Sequence, residues 1–400
     1  MGGSHSHGDE ARPTTSRALR FAMTVIVPTA VLSAIGMVLL WPDEVPEPTS
    51  PTAEEVTGEV VGVSERECPE PEAQADPRLI EEGRPCGVAA VKLDDGGEHV
   101  VVALPTASGT PEVGHGDSVV LIYLAEAEPH KYHVVDHDRT SPLWILAATF
   151  ALAVIAFGRW QGLRSLGGLV ITFAILLLFV VPAVLSGQPP LLTAIVGAGA
   201  IMLTVLYVTH GFRPTTTVAV AGTLASLVLT GVLSALAVGF THLTGVADEE
   251  TNMLSLSHNV NMEGLLLAGI IIGALGALDD VTSTQANAVA ELARANPGYG
   301  TWQLYQSAAR IGRAHIGSVV NTLILAYAGA SLPLMILIAA ADRPLGQVLT
   351  TQLMAEEIVR SVVGTLGLIA AVPITTWLAA LAARQLNEPG ADAAFPSGQD

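Results

Sequence analysis

The sequence predicts a polytopic α-helical membrane protein of about eight spans, with a small extracytoplasmic β domain, a barrel or a sandwich, between spans one and two. Half of the residues are hydrophobic and only 14% are charged. A soluble chain of 400 residues needs more charge to cover its surface. Most of the formal net charge of −19 falls between residues 42 and 141. This acidity argues against a nucleic-acid partner.

The first predicted span covers residues 21–41, which are long and apolar enough to cross about 30 Å of hydrocarbon. Residues 1–20 are polar and carry arginines, so we interpret them as a cytoplasmic tail before an uncleaved anchor. Residues 42–141 begin with a linker rich in Pro, Glu and Thr. Short β-rich runs separated by turn signals follow, and this spacing is typical of a small barrel or sandwich.

The two cysteines, Cys68 and Cys86, both lie in the acidic segment. If that segment is outside the cytoplasm, we expect a disulfide between them, which the chain-entropy model values at about 3 kcal/mol. Two free thiols are the alternative. We expect no metal site and no cofactor.

Seven further apolar segments predict the remaining spans. They are residues 142–158, 165–186, 190–209, 215–241, 263–280, 316–340 and 358–383. Residues 142–241 therefore hold four helices, 242–262 form an outer loop, and 263–383 hold an acid-bearing helix, a cytoplasmic connection and two more helices. Arginines in the connections all fall on the side of the N-terminal tail. Both termini, including residues 384–400, are thus expected in the cytoplasm, and 42–141 outside it.

Asp279 and Asp280 end an apolar, glycine-spaced helix. A mid-membrane Asp costs roughly 2.5–3.5 kcal/mol even on the mildest scales, so such residues usually face a protein interior or a water-filled path. We expect this pair to relay protons, the alternative being that the helix simply emerges into water. Gly269, Gly273 and Gly276 would let another helix pack closely and shield the pair from lipid.

Polar residues further along the chain complete the candidate site. Arg310 and Arg313 are one turn apart and share a helix face, so they are the natural charge partners of the aspartates. They can equally be ordinary positive-inside residues. Asn321 and Thr322 would supply polar contacts from the facing helix.

The residues from Gly264 to Leu292, then Ile311-Gly312-Arg313 and 321–333, resemble the YibE/F-like family of multi-span bacterial membrane proteins. The resemblance covers roughly residues 132–386. It implies a bacterial cytoplasmic-membrane protein with an outer domain after the first helix, and it defines no activity.

Two departures from that family pattern concern the candidate site. The family often has one Asp where this chain has two, and Asp280 is the residue that matches it. The family also often has an acid just after the arginine that matches Arg313, where this chain has Ala314. The departures weaken the case for an ion pair shared with the family.

The chain also has a distant similarity to the acid-bearing helices of the RND and SecDF exporters. The similarity is carried by Gly-Ala-Leu-Asp-Asp at 276–280, followed by a polar helix, a basic stretch and a span with Asn and Thr. That similarity implies proton relay by acids and a pairing of two halves, hence a homodimer. This chain differs by having eight predicted spans, where half of an RND protein has six, and a much smaller outer domain.

These observations favour a secondary transporter or exporter of an unknown solute, embedded in the lipid bilayer and coupled to proton movement through the Asp pair. The alternative is an envelope assembly or scaffolding protein without flux, with an envelope protein as its partner and the Asp pair in a structural ion pair. We expect no enzyme activity, because His-Glu-x-x-His and Gly-x-x-x-x-Gly-Lys-Ser/Thr motifs are absent. In addition, Leu278 rather than glycine precedes Asp279, unlike in intramembrane aspartyl proteases.

Overall fold

A computed structural model describes residues 16–42, 54–66, 86–106, 109–124, 130–340 and 344–387. The chain divides into two compact units. One unit is Glu47–Phe157, and the other combines Met1–Pro46 with Gly158–Asp400. The smaller unit contains a β-barrel and the larger one a helical bundle.

Five strands close into a barrel in the order β1-β2-β3-β5-β4. The strands are β1 (Glu54–Arg66), β2 (Cys86–Leu93), β3 (His99–Ala103), β4 (Ser118–Tyr123) and β5 (Tyr132–His137). The barrel closes because β1 is long enough to pair with both β2 and β4, while β3 and β5 pair in parallel. Alternate side chains such as Val60, Val91 and Val102 are fully buried inside it. The predicted β domain is confirmed, and it is a barrel.

The predicted disulfide involves a residue beyond this description. Cys86 is the first residue of β2, whereas Cys68 lies outside the described residues. The pairing therefore stays a prediction. Residues 1–15 and 388–400, which belong to the predicted cytoplasmic tails, also lie outside the described residues.

The rest of the described chain is helical. The helices are α1 (Ser16–Leu39), α2 (Thr140–Ile175), α3 (Val181–Leu185), α4 (Pro190–His210), α5 (Pro214–Thr241), α6 (Glu249–His258), α7 (Met262–Ala295), α8 (Thr301–Ala330), α9 (Leu332–Ala340), α10 (Leu345–Leu349) and α11 (Gln352–Asn387). A π-helical turn, Leu176–Val180, joins α2 to α3.

Five helical segments are long and apolar enough to cross a membrane. They are Thr140–Leu185, Pro190–His210, Pro214–Thr241, Met262–Ala295 and Gln352–Ala383. A shorter apolar stretch, Thr24–Leu39, lies in α1. The sequence is thus confirmed as that of a multi-pass membrane protein, whereas the predicted count of eight spans is not confirmed.

The helix is interrupted between two of the predicted spans, 142–158 and 165–186. No connecting loop separates them, and the chain stays helical except at Arg159, whose φ of 49° and ψ of −126° interrupt the helix. The resulting segment Thr140–Leu185 has 46 residues. The interruption falls in the predicted connection, directly after Gly158, and it is a kink at one residue rather than a loop.

The predicted span 316–340 is divided between α8 and α9. The break falls at Ser331, two residues before Pro333. Proline has no N–H to continue the hydrogen-bond ladder, so it ends one helix and is well placed in the first turn of the next.

Helices α5, α7 and α11 pack together at the centre of the bundle, with α4 against α7 and α8 against α11. Small side chains make this close approach possible. A Cβ at Gly222 would collide with Thr375, and a Cβ at Gly367 would collide with Thr230. These two contacts also show that α5 and α11 run antiparallel. Small residues at such interfaces are what membrane helices use in place of a hydrophobic driving force.

Gly367→Val is expected to destabilise the bundle, because the new side chain would overlap Thr230. Overpacking of this kind typically costs about 1–3 kcal/mol, and thermal unfolding of the full chain in detergent measures it. Gly364→Val is the matched control, since nothing lies within 4 Å of a Cβ there. Equal losses of thermal stability in the two variants would contradict the packing described.

In the barrel, Gly87→Val is expected to disrupt the pairing of β1 with β2, because a Cβ at Gly87 would collide with the backbone carbonyl of Ser64. Faster protease cleavage within residues 54–137 of the full chain is the expected readout. Gly62→Val should resist cleavage like the wild type, since a Cβ at Gly62 meets nothing within 4 Å. If the first variant were as resistant as the second, the register would be wrong.

Candidate functional site

Asp279 lies on the face of α7 that packs against α5. Its Oδ1 atom is buried and has no hydrogen-bond partner among the described residues. The Thr223 hydroxyl of α5 interacts with this carboxyl group. Thr223 Oγ1 is also 2.7 Å from Thr282 Oγ1, one turn further along α7. The structure therefore brings one carboxyl group and two hydroxyl groups together between two candidate membrane spans.

Asp280 points in a different direction and is exposed. Successive residues on an α-helix are about 100° apart, since a turn takes 3.6 residues. Asp280 therefore shares the outer face of α7 with Thr284 and Asn287, which are also exposed. Its carboxylate lies within electrostatic range of His210 at the end of α4. The two aspartates thus occupy different environments, although the sequence suggested one shared site.

The expected charge partners do not meet the aspartates in this structure. Arg310 and Arg313 are exposed on α8, and Arg310 Nη2 lies 3.4 Å from the Ser307 hydroxyl of its own helix. Ion pairs within the described residues join Arg139 to Asp136, Arg294 to Glu291 and Arg360 to Glu357. None of them joins α8 to the acid pair.

The contact between α7 and α8 is made by other residues. The Gln285 amide donates a hydrogen bond of 2.9 Å to the backbone carbonyl of Ala308. Gly312 lies so close to Gln285 and Val372 that a Cβ would be 2.5 Å from the Val372 side chain. Sequence reasoning had grouped Gln285 with the polar residues that follow the acids. Its spacing from Thr282 and Val289, three and four residues away, was the available signal for a buried face.

The three glycines of α7 do not form the expected helix contact. A Cβ at Gly269 or Gly276 would meet nothing within 4 Å, and a Cβ at Gly273 would meet only the Tyr327 hydroxyl, at 3.8 Å. The glycines lie on a different face of α7 from the buried residues, which include Ile270 and Leu278. In the described part of the chain, the glycine face is left uncovered.

Asn321 and Thr322 are exposed on α8 rather than turned towards the acids. The Thr322 hydroxyl donates to the Ser318 carbonyl of its own helix at 3.0 Å. The face of α8 that contacts the bundle is apolar and includes Ile316 and Leu323. The predicted polar contacts to the aspartates are therefore not formed.

Glu356 is a buried acid that sequence reasoning missed. It lies in the first turns of α11 and has only 6% of its surface exposed. The predicted span began at residue 358, which placed Glu356 in an outer loop. Helix α11 in fact begins at Gln352, so the acid belongs to the packed end of the bundle.

A cavity of about 510 Å³ lies between α1, α4 and α5. Its walls are mainly apolar, and its two hydroxyl residues on α1 are Thr29 and Ser33. Thr29 donates to the carbonyl of Val25 on its own helix at 2.8 Å. The cavity therefore offers little to orient a polar solute, and we do not assign it to the candidate site.

Thiol labelling of single-cysteine substitutions should distinguish the two faces of α7. Asp280→Cys, Thr284→Cys and Asn287→Cys are expected to react with a membrane-impermeant thiol reagent, because a stripe of exposed polar side chains favours contact with water over contact with lipid. Leu278→Cys and Thr282→Cys should not react, because these positions are buried. The parent protein measures the background from the native cysteines. Uniform labelling along the helix would contradict the assigned rotation of α7.

Comparison with known proteins identifies the family of the chain. The family model described as YibE/F-like protein matches residues 146–385. No curated protein matches the chain, and no solved structure matches it. The family match covers the whole helical region that holds Asp279, Asp280 and Glu356, but not the barrel. This chain belongs to the YibE/F-like family.

Proposed function

We propose that this protein is a secondary transporter or exporter coupled to proton movement, and that Asp279 is the carboxyl group that binds and releases the proton. The observation that supports this most directly is the buried, unpartnered Oδ1 atom of Asp279 within a candidate membrane span. A resting structural acid would be expected to have all of its oxygen atoms satisfied.

The surroundings of Asp279 suit a change of protonation state. An ionised carboxylate without a partner is costly in a dry environment, whereas its protonated form has a hydroxyl that can donate. The Thr223 hydroxyl interacts with this carboxyl group, and Thr282 Oγ1 lies 2.7 Å from Thr223 Oγ1. A movement that lets water reach Asp279 would favour release of the proton. Alternation between dry and wet surroundings is therefore a physical basis for coupling.

Asp280 has a different part in this proposal. It continues the exposed polar stripe of α7 that includes Thr284 and Asn287. A carboxylate at this position, next to the buried one on the same helix, can accept protons from water and deliver them to Asp279. The sequence predicted Asp280 as the main proton-binding residue. Because Asp280 is exposed, we assign proton binding to Asp279 and proton delivery to Asp280.

The proposal includes the predicted topology. Helix Thr140–Leu185 has 46 residues, about twice the 20 that one crossing needs, which is compatible with two crossings. With α1 and the α8–α9 region, eight crossings would place both termini in the cytoplasm of a bacterium and the barrel outside. Transport of an unknown solute, formation of a homodimer and binding of an envelope protein remain predictions.

The scaffolding alternative predicted an ion pair between the acids and the arginines of α8. That pair is absent from the described residues. A scaffold without flux would need some other reason for a buried Asp279 oxygen that has no hydrogen-bond partner among the described residues. The alternative therefore has less support than transport.

Asp279→Asn is expected to lower proton uptake into proteoliposomes by about 100-fold, the size of effect associated with loss of a positioned proton-transfer group. A pH-sensitive dye inside the vesicles, with an imposed potential, measures the uptake. Asn keeps the size and polarity of the side chain, so insertion should be unaffected.

Asp280→Asn is the comparison variant, and it should retain more uptake than Asp279→Asn because its side chain is exposed. Wild-type uptake by Asp279→Asn would exclude the proposed role. The absence of any protein-dependent uptake would favour the scaffold.

A further inference from the structure

Glu356 connects α11 to the loop between α5 and α6. Gln352 Nε2 donates to Glu356 Oε1 at 2.6 Å, and the same amide lies 3.2 Å from the Thr244 hydroxyl. The backbone N–H of Gly245 also interacts with the Glu356 carboxyl group. One buried acid therefore holds together two segments that are more than 100 residues apart in the sequence.

Several charged groups surround this acid. On its own helix, Arg360 pairs with Glu357 at 3.2 Å, and the Arg360 Nε atom is buried with no hydrogen-bond partner among the described residues. From the α5–α6 connection, Asp248 lies within electrostatic range. The N–H of Thr251 holds the pKa of Asp248 below its usual value, so this residue is negatively charged. Glu263 at the start of α7 is exposed, and so is His242 after α5.

The surroundings of Glu356 have opposing effects on its ionisation. Burial disfavours the charged form, whereas the Gln352 amide, the Gly245 N–H and the positive charge of Arg360 favour it. Negative charge on Asp248 opposes ionisation. The protonation state of Glu356 therefore depends on the positions of these neighbours.

Glu356 and Asp279 are at different depths in the same three-helix core. The antiparallel contacts of α5 with α11 put Thr230 beside Gly367, so Glu356, eleven residues before Gly367, lies level with the end of α5. Asp279 interacts with Thr223, which is 18 residues from that end. The two acids are therefore separated by about 27 Å along the helix axis, at 1.5 Å per residue.

An apolar cluster lies between the two depths. Its buried members are Val238, Leu243, Leu266, Leu267, Ile270, Val359 and Val363. Leu243 belongs to the α5–α6 connection and comes directly before Thr244, which contacts Gln352. A movement of the connection away from Glu356 would therefore also withdraw Leu243 from the apolar cluster.

We propose that Glu356 is the second proton-binding carboxyl group of this protein, about 27 Å from Asp279 along the helix axis, with the apolar cluster as the barrier between them. This inference rests on the proposed function. Protonation of Glu356 turns one acceptor oxygen into a hydroxyl and removes an acceptor for Gly245 or Gln352. The connection is then released, Leu243 withdraws, and the barrier opens at this end.

Infrared difference spectroscopy of the full chain in lipid nanodiscs tests the assignment directly. Spectra at acidic and neutral pH report the stretch of protonated carboxyl groups. Glu356→Gln should remove one pH-dependent band, and Asp279→Asn should remove another. Glu357→Gln, the neighbouring acid on the same helix, is the matched control and should change neither band. Retention of every band in Glu356→Gln would overturn the proposal.

A second measurement separates this inference from the proposed function. In proteoliposomes, Glu356→Gln should reduce proton uptake by about 100-fold, and Glu356→Asp should restore part of it. If the infrared band belongs to Glu356 but the wild type shows no uptake, transport is contradicted while the protonation site stands. If the wild type takes up protons and Glu356→Gln is unaffected, the second site is contradicted and transport stands.

Discussion

The hydroxyl side chains along α5 can pack against other helices because each one donates its hydrogen bond within its own helix. Thr223, Ser226, Thr230 and Ser234 all donate to the carbonyl four residues earlier, at 2.7–3.0 Å. With their donors satisfied, these residues behave as small, nearly apolar groups. Helix α11 can then approach until Gly367 touches Thr230. This close approach fixes the positions of α5, α7 and α11, and the positions of the acids follow from it.

The rotation of α7 within this core divides two adjacent aspartates between different environments. Asp279 faces Thr223, while Asp280 faces outwards with Thr284 and Asn287. Two carboxylates that shared one site would titrate as a strongly coupled pair. Here one acid packs against α5 and the other is exposed, so the two carboxyl groups can have different roles. Glu356 adds a third acid, which is buried in the first turns of α11.

Much of the architecture could be predicted from the sequence because it depends on local patterns. Alternating residues and turn signals predicted the small β domain, and apolar length predicted the helices of the bundle. The break at Ser331 could also have been predicted, because Pro333 follows it. In contrast, the kink that takes the place of a loop at Arg159 depends on the conformation of a single residue.

The candidate site was harder to predict, because it depends on how the helices are rotated. Helix α7 is apolar on most of its circumference around Ile270, Ile271 and Ile272, so hydrophobic periodicity does not identify its buried face. The contact partners of Asp279 and the uncovered glycines follow only from packing. Glu356 was missed because a charged pair next to an apolar run is normally read as the end of a span. Its partners Thr244 and Gly245 come from a distant part of the chain.

Closure of the barrel limits how this domain can recognise another molecule. In the described strands every edge is paired, since β1 contacts both β2 and β4, and β5 bridges β3 and β4. A peptide that binds by adding a strand needs an open sheet edge. Closure removes that edge and also protects the domain from aggregation through strand pairing. A ligand of this domain would have to bind side chains or loops, and these carry much of the negative charge of the chain.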